Sequence, residues 1–105
     1  MKFSLLHTDG GSKARAGVFT TDHGEFRTPA FMPVGTAASV KGIFHRDLVN
    51  DANAQIILAN TYHLYLRPGI EVLEASGGVH RFCSWDRSFC RKAAQYSIHD
   101  PVLSQ

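Results

Sequence analysis

The sequence predicts an α/β fold: an antiparallel ribbon first, then strands and helices in alternation. Three observations carry this. Residues 18–28, "VFTTDHGEFRT", hold two β-rich runs around a turn, with Gly24 at the tight position. Residues 54–60, "AQIILAN", place Ile56, Ile57 and Leu58 consecutively rather than in alternation. Such a run implies burial on both faces, as in a parallel sheet covered by helices. After it, helical spacing and a proline-glycine break at Pro68-Gly69 replace strand signals.

Each element follows in order. "KFSLLH" is expected as the first strand, stopped by "TDGGSKARAG", which is rich in turn formers and cations. The hairpin comes next and ends at Pro29. "AFMPV" is a short apolar run in which Pro33 requires a strand start, an edge or a bulge. "GTAAS" is a small-residue turn. Val40 to Asn53 is expected to be helical in part, with Leu48 and Val49 on its apolar face and Arg46, Asp47 and Asp51 on its wet face. The strand at Ala54–Asn60 follows. "IEVLEAS" has Ile70, Leu73 and Glu74 at helical spacing and is closed by Gly77-Gly78. "VHRFCSW" is apolar but short. No internal repeat or low-complexity segment is visible.

The totals exclude several classes. The chain has 105 residues, enough for one domain. With 44% hydrophobic and 19% charged residues it is expected to fold rather than to be disordered. A net charge of +2 does not by itself indicate a nucleic-acid binder. Two cysteines, Cys83 and Cys90, make no disulfide framework and fit no common zinc or redox spacing, so a reducing, cytoplasmic compartment is expected. "MKFSLLHTDGG" lacks the long apolar region of a signal peptide, and no stretch approaches a membrane span.

Candidate chemistry clusters at the carboxyl ends of the expected strands, where ligands gather in parallel α/β sheets. Asn60, Thr61, Tyr62, His63 and Tyr65 fall there, as do Val34 to Thr36 on the preceding strand. His63 and Tyr62 have the chemistry of acid-base or ligand groups; the plainer reading is that they fix a turn. Asn60 and Thr61 suit substrate binding, or, more simply, helix capping. Gly35-Thr36 suits an anion nest, although neither GxGxxG nor GxxxxGK[ST] is present. Lys13, Arg15 and Lys41 read as solvated cations before they read as a polyanion contact. His63, His80, Cys83 and Cys90 have spacings too irregular for a metal site. "YSIHD" (Tyr96, Ser97, His99, Asp100) lacks the strand-turn-helix context of a nucleophilic serine.

Four segments, "ARAG", "TPAFMPVGTAASVKG", "AQIILANTYHLYLRPG" and "GGVHRFCSWDR", carry a resemblance over residues 1–87 to the N-terminal part of bacterial tRNA-guanine transglycosylase, also called queuine tRNA-ribosyltransferase. The resemblance implies that the ribbon precedes the first strands and helices of an incomplete (β/α)8 barrel. It implies base exchange on tRNA in queuosine biosynthesis, with guanine at the first anticodon position replaced by a 7-deazaguanine. A late aspartate would attack the ribose carbon and form a covalent intermediate on an extruded nucleotide. A second aspartate, in a "TDSGG" motif after the third strand, would accept the proton. A structural zinc and its ligands would lie downstream, so no cofactor and no metal is expected in this chain. By resemblance Val34 and Leu58 line the base pocket, and Thr61 to Leu64 pack around the same end and contribute to a homodimer surface. The expected partners are tRNA, the 7-deazaguanine base and a second or full-length copy. No catalytic residue is expected here.

The resemblance stops after Arg87. Where the family continues with a proline, an apolar strand and "TDSGG", this chain reads "SFCRKAAQYSIHDPVLSQ", with Lys92 near the place of the expected aspartate. Ala93-Ala94 lie near the expected glycine pair, and a shifted frame turns glycine codons into alanine codons. Residues 88–105 are therefore expected to be a divergent tail, either translated out of frame or, as the rival reading, genuinely diverged. A chain of this kind is expected to be inactive alone, weakly stable and prone to aggregate, because a (β/α)8 barrel needs about 250 residues and an open strand edge invites pairing. The alternative is a non-catalytic interaction module that binds a full-length homologue or tRNA.

Overall fold

The computed structural model describes residues 1–92. Tyr96, Ser97, His99 and Asp100, and the Ala93-Ala94 pair, lie outside the described residues. The fold is mixed α/β. It opens with an antiparallel three-stranded sheet, β1 (Lys2–Thr8), β2 (Arg15–Thr21) and β3 (Gly24–Thr28), in the order β1-β2-β3. Thr21 pairs with Gly24 across a two-residue loop, and Gly24 has φ +108°, a conformation open to glycine at no steric cost. Phe19 links the three strands by its rings: its centroid lies 4.8 Å from Phe3 and 5.1 Å from Phe26.

Strand β2 begins three residues earlier than the hairpin signal at Val18 implied. The cause is the preceding loop. Asp9 and Ser12 side chains accept from Gly11 N–H (3.2 Å) and Ala14 N–H (3.1 Å), and Asp9 N–H reaches Ala14 C=O at 3.0 Å. The loop closes tightly, so Arg15 to Gly17 pair with Leu5 to Thr8 around a bulge between Leu5 and His7.

The second sheet is parallel. Strand β4 (Ile56–Asn60) pairs in parallel with β5 (Ser88–Lys92). On its other side Val34 bridges Leu58 in parallel, with Leu58 N–H donating to Pro33 C=O (2.9 Å) and Gly35 N–H to Leu58 C=O (2.7 Å). Pro33 thus sits in a single-bridge segment, where its missing N–H costs no ladder bond. Ile56, Ile57 and Ala59 are buried and Leu58 is half-buried, which matches the two-sided burial read from the sequence.

Four short helices cover one face: α1 (His45–Asn50), α2 (Thr61–Leu66), α3 (Ile70–Ala75) and α4 (Val79–Cys83). The helix expected within 40–53 is confined to the six residues of α1. Gly42, at φ +79°, and a turn from Ile43 N–H to Val40 C=O (3.2 Å) hold the chain out of helix until Phe44. Helix α3 stops where expected, with Gly77 N–H on Glu74 C=O and Gly78 N–H on Leu73 C=O, both at 2.9 Å.

The core forms on this helix-covered face. Ala59 packs with Ala38, Leu64, Leu73 and Val79; Ile57 packs with Leu48, Ala54 and Trp85. Cys83 and Phe89 pack against both groups and join them. Trp85 is 1% exposed, and its indole N–H donates to Ser88 C=O at 3.1 Å, so burial leaves no polar group unmet there. The ribbon meets the amino ends of the parallel strands. Arg27 N–H donates to Gln55 Oε1 (2.9 Å), and the Thr21 and Ser88 hydroxyls lie 2.9 Å apart.

Candidate functional site

Val34 and Leu58, expected by resemblance to line the base pocket, are direct partners in a parallel bridge between the segment around Val34 and strand β4. Paired residues of neighbouring strands project to the same sheet face. Leu58 is also level with Cys90 on β5, so Val34, Leu58 and Cys90 form one cross-strand row. This face is opposite the one that carries Ile57 and Ala59, because successive residues alternate. Val34 is 58% exposed and Leu58 half-buried, so the row is apolar and open on the Val34 side.

One step further along each strand lies the carboxyl end. Asn60 is level with Lys92, the last residue of β5 and the residue near the expected aspartate position. Asn60 N–H donates to Thr36 C=O at 3.2 Å, and its side-chain Oδ1 accepts from Tyr62 N–H at 3.0 Å. It is the N-cap of α2, which bears out the capping interpretation of this residue. The strand therefore turns directly into a helix, and the polar cluster after it is what that turn requires.

Other candidates resolve on geometry. Gly35 N–H is used in pairing with Leu58 C=O, which leaves it unable to donate to an anion in a nest at Gly35-Thr36. His63 is exposed on α2, where its backbone C=O, rather than its ring, accepts the capping bond from Arg67 N–H at 2.8 Å. Tyr62 and Tyr65 are 48% and 44% exposed on the same helix. Lys13, Arg15 and Lys41 are all exposed.

Cys83 is a structural thiol. Its Sγ donates to Val79 C=O at 3.0 Å, and burial pushes its pKa up to about 11, with backbone hydrogen bonds opposing that shift. A metal ligand must be a thiolate, so this environment is wrong for one. Among the described residues no group of three or more His, Cys, Asp or Glu is placed to hold a metal ion.

Sequence reading missed the polar ties that hold the helices together. His45 Nδ1 lies 2.7 Å from Cys83 C=O and links α1 to α4, with its ring edge-on to Trp85 at 5.3 Å. His80 Nε2 lies 3.2 Å from Arg87 C=O, and its ring stacks on His23 of the hairpin loop at 3.6 Å. The Arg87 guanidinium donates to Ala54 C=O at 2.8 Å. A lone histidine or arginine in sequence carries no sign of such backbone partners. An open groove of about 740 Å³ between α1 and α4 is lined by His45, His80 and Trp85 among others, and Val34 and Leu58 are not in its wall.

No helix among the described residues is long and apolar enough to cross a membrane. The sequence profile of the queuine tRNA-ribosyltransferase family matches residues 9–102. The chain is 52% identical over 96 residues to the queuine tRNA-ribosyltransferase of Treponema denticola, covering 91% of this chain and 25% of that protein. It is 48% identical over 97 residues to the enzyme of Aquifex aeolicus, covering 92% of this chain and 25% of that one. It is 46% identical over 98 residues to that of a Thermoanaerobacter species, covering 93% and 26%. The chain thus spans about a quarter of the length of these relatives, and over that quarter the identity leaves one conclusion. The chain belongs to the queuine tRNA-ribosyltransferase family.

Proposed function

We propose that this chain supplies the first quarter of a tRNA-guanine transglycosylase: a ribbon, the first strands and helices of a (β/α)8 barrel, and one wall of the base pocket. The observation that supports it best is the Val34–Leu58 bridge. It sets two apolar side chains side by side near the carboxyl ends of parallel strands, where such sheets bind ligands. An apolar wall of this kind suits the flat face of a purine or 7-deazaguanine ring, whose hydrogen-bonding edge would be met by residues of the remaining chain.

The division of labour follows. The nucleophilic and proton-accepting aspartates are not among the residues of this quarter, so the chain alone is inactive. Its role is to fix the strand ends that position the base once the tRNA nucleotide is extruded. The exposed Tyr62 and Tyr65 on α2 support a homodimer surface around Thr61–Leu64. The cellular compartment is the cytoplasm, where tRNA is modified.

For the chain beyond Arg87 we propose a reading-frame shift. Strand β5 and the family match to residue 102 both extend past Arg87, so the DNA decides the matter. A "TDSGG" in another frame supports the shift; its absence from all frames contradicts it.

A chimera tests the functional reading. Residues 1–87 replace the matching segment of the Treponema denticola enzyme, and incorporation of labelled guanine into tRNA is measured. Exchange by the folded chimera is expected. In it, Val34→Asp raises the KM for the base by about tenfold or more, through burial of a charge against the ring. A folded chimera without exchange contradicts the reading.

A further inference from the structure

Two imidazole rings dock the tip of the hairpin on α4. His23, in the loop between β2 and β3, stacks on His80 with ring centroids 3.6 Å apart and planes 18° from parallel. Each ring is placed by other bonds. Thr21 Oγ1 donates to Gly24 C=O at 2.9 Å and accepts from His23 N–H at 3.2 Å, which sets the loop. With its one proton used there, the Thr21 hydroxyl is the acceptor in its 2.9 Å contact with Ser88, so β5 holds the same loop. His80 is half-buried. Its Nε2 lies 3.2 Å from Arg87 C=O, and its ring meets Phe89 edge-on at 4.8 Å.

Acid acts on these contacts unequally. A carbonyl oxygen only accepts, so His80 Nε2 carries a proton whether the ring is neutral or charged. The bond to Arg87 C=O therefore survives acidification. The stack does not. Two imidazoliums with centroids 3.6 Å apart repel, and the partial burial of His80 weakens the solvent screening between them. The other titratable and charged groups around the pair are Asp22 and Glu25 on the hairpin, His45 and Arg46 on α1, Arg81 on α4, and Asp86 and Arg87 after it. Glu25 accepts from the Thr20 hydroxyl at 2.8 Å, and the Arg87 guanidinium donates to Ala54 C=O at 2.8 Å. Asp22 forms no ion pair with His23 among the described residues.

We propose that the His23–His80 stack is an acid-released latch, which holds the hairpin loop on α4 while at most one ring is charged and lets it go when both are protonated. The two rings take up protons as a pair. The released loop accepts the second proton more readily than the docked one. Docking is therefore strongest at high pH and is lost as pH falls through the range of about 8 to 5 in which histidine changes charge. Release leaves the core shut, because no ribbon residue belongs to either buried cluster. The latch is independent of the base-pocket reading, since neither Val34 nor Leu58 takes part in it.

The test follows the full 105-residue chain by NMR, through cross-peaks between the ring protons of His23 and His80, with Trp85 emission as the check on the core. Cross-peaks at about pH 8 and their loss at about pH 5 are expected, with the emission unchanged. His23→Phe keeps a flat ring and removes one charge, so its ring contact with His80 is expected to persist at about pH 5. A wild-type contact that persists in acid overturns the proposal. So does a loss that His23→Phe shares, or one that comes only with exposure of Trp85, since acid then unfolds the core instead of opening the latch.

Discussion

Cys83 shows how one side chain's chemistry is set by where the fold puts it. Its thiol packs against both halves of the core and donates to Val79 C=O, and burial holds its pKa near 11 against an ordinary 9.0. A group whose folded pKa is raised contributes its stability fully below the unfolded pKa and loses it as pH rises through the folded value. The window here runs from about pH 9 to 11. Denaturant unfolding of the wild type minus that of Cys83→Ala should therefore be flat below pH 9 and fall between 9 and 11. A difference that stays flat throughout would mean that Cys83 is no more buried folded than unfolded. The same scale shows what sequence can convey. Asn60 was legible as a cap because Asn, followed by a helical run, has few other local uses. His45 and Arg87 were not, because their partners are backbone carbonyls 38 and 33 residues away.

At the scale of elements, local signals carried the hairpin, strand β4 and the stop of α3. They failed where the loop or turn decided the matter. Strand β2 extends to Arg15 because Asp9 and Ser12 tighten the loop, and α1 is short because the chain turns at Gly42. Gly17 marks a further constraint in the ribbon. A Cβ added there would meet the Phe3 ring at 2.5 Å and Ser4 C=O at 2.8 Å. The ring is free to shift, but the carbonyl belongs to the paired strand and is not. Gly17→Ala should cost about 1–3 kcal/mol, as overpacking does, and should speed amide exchange along β1. Gly11→Ala, whose Cβ would meet only Asp9 Oδ2 at 3.7 Å, should leave both unchanged. Equal effects of the two would show that β1 does not pack on Gly17 as described.

Across the described residues, two sheets and four helices build the part of the molecule for which a scaffold role is proposed. The parallel sheet was legible because Ile56 to Leu58 are consecutive and apolar. The candidate pocket wall was legible only through resemblance, since Val34 and Leu58 are ordinary aliphatic residues until the bridge sets them side by side. The measurement that bears most directly on this account is incorporation of labelled guanine into tRNA by the 105-residue chain alone, with the full-length Treponema denticola relative as positive control. The account predicts incorporation at the no-enzyme background. Incorporation above it by the purified chain would contradict the claim that this quarter carries the scaffold and not the catalytic groups.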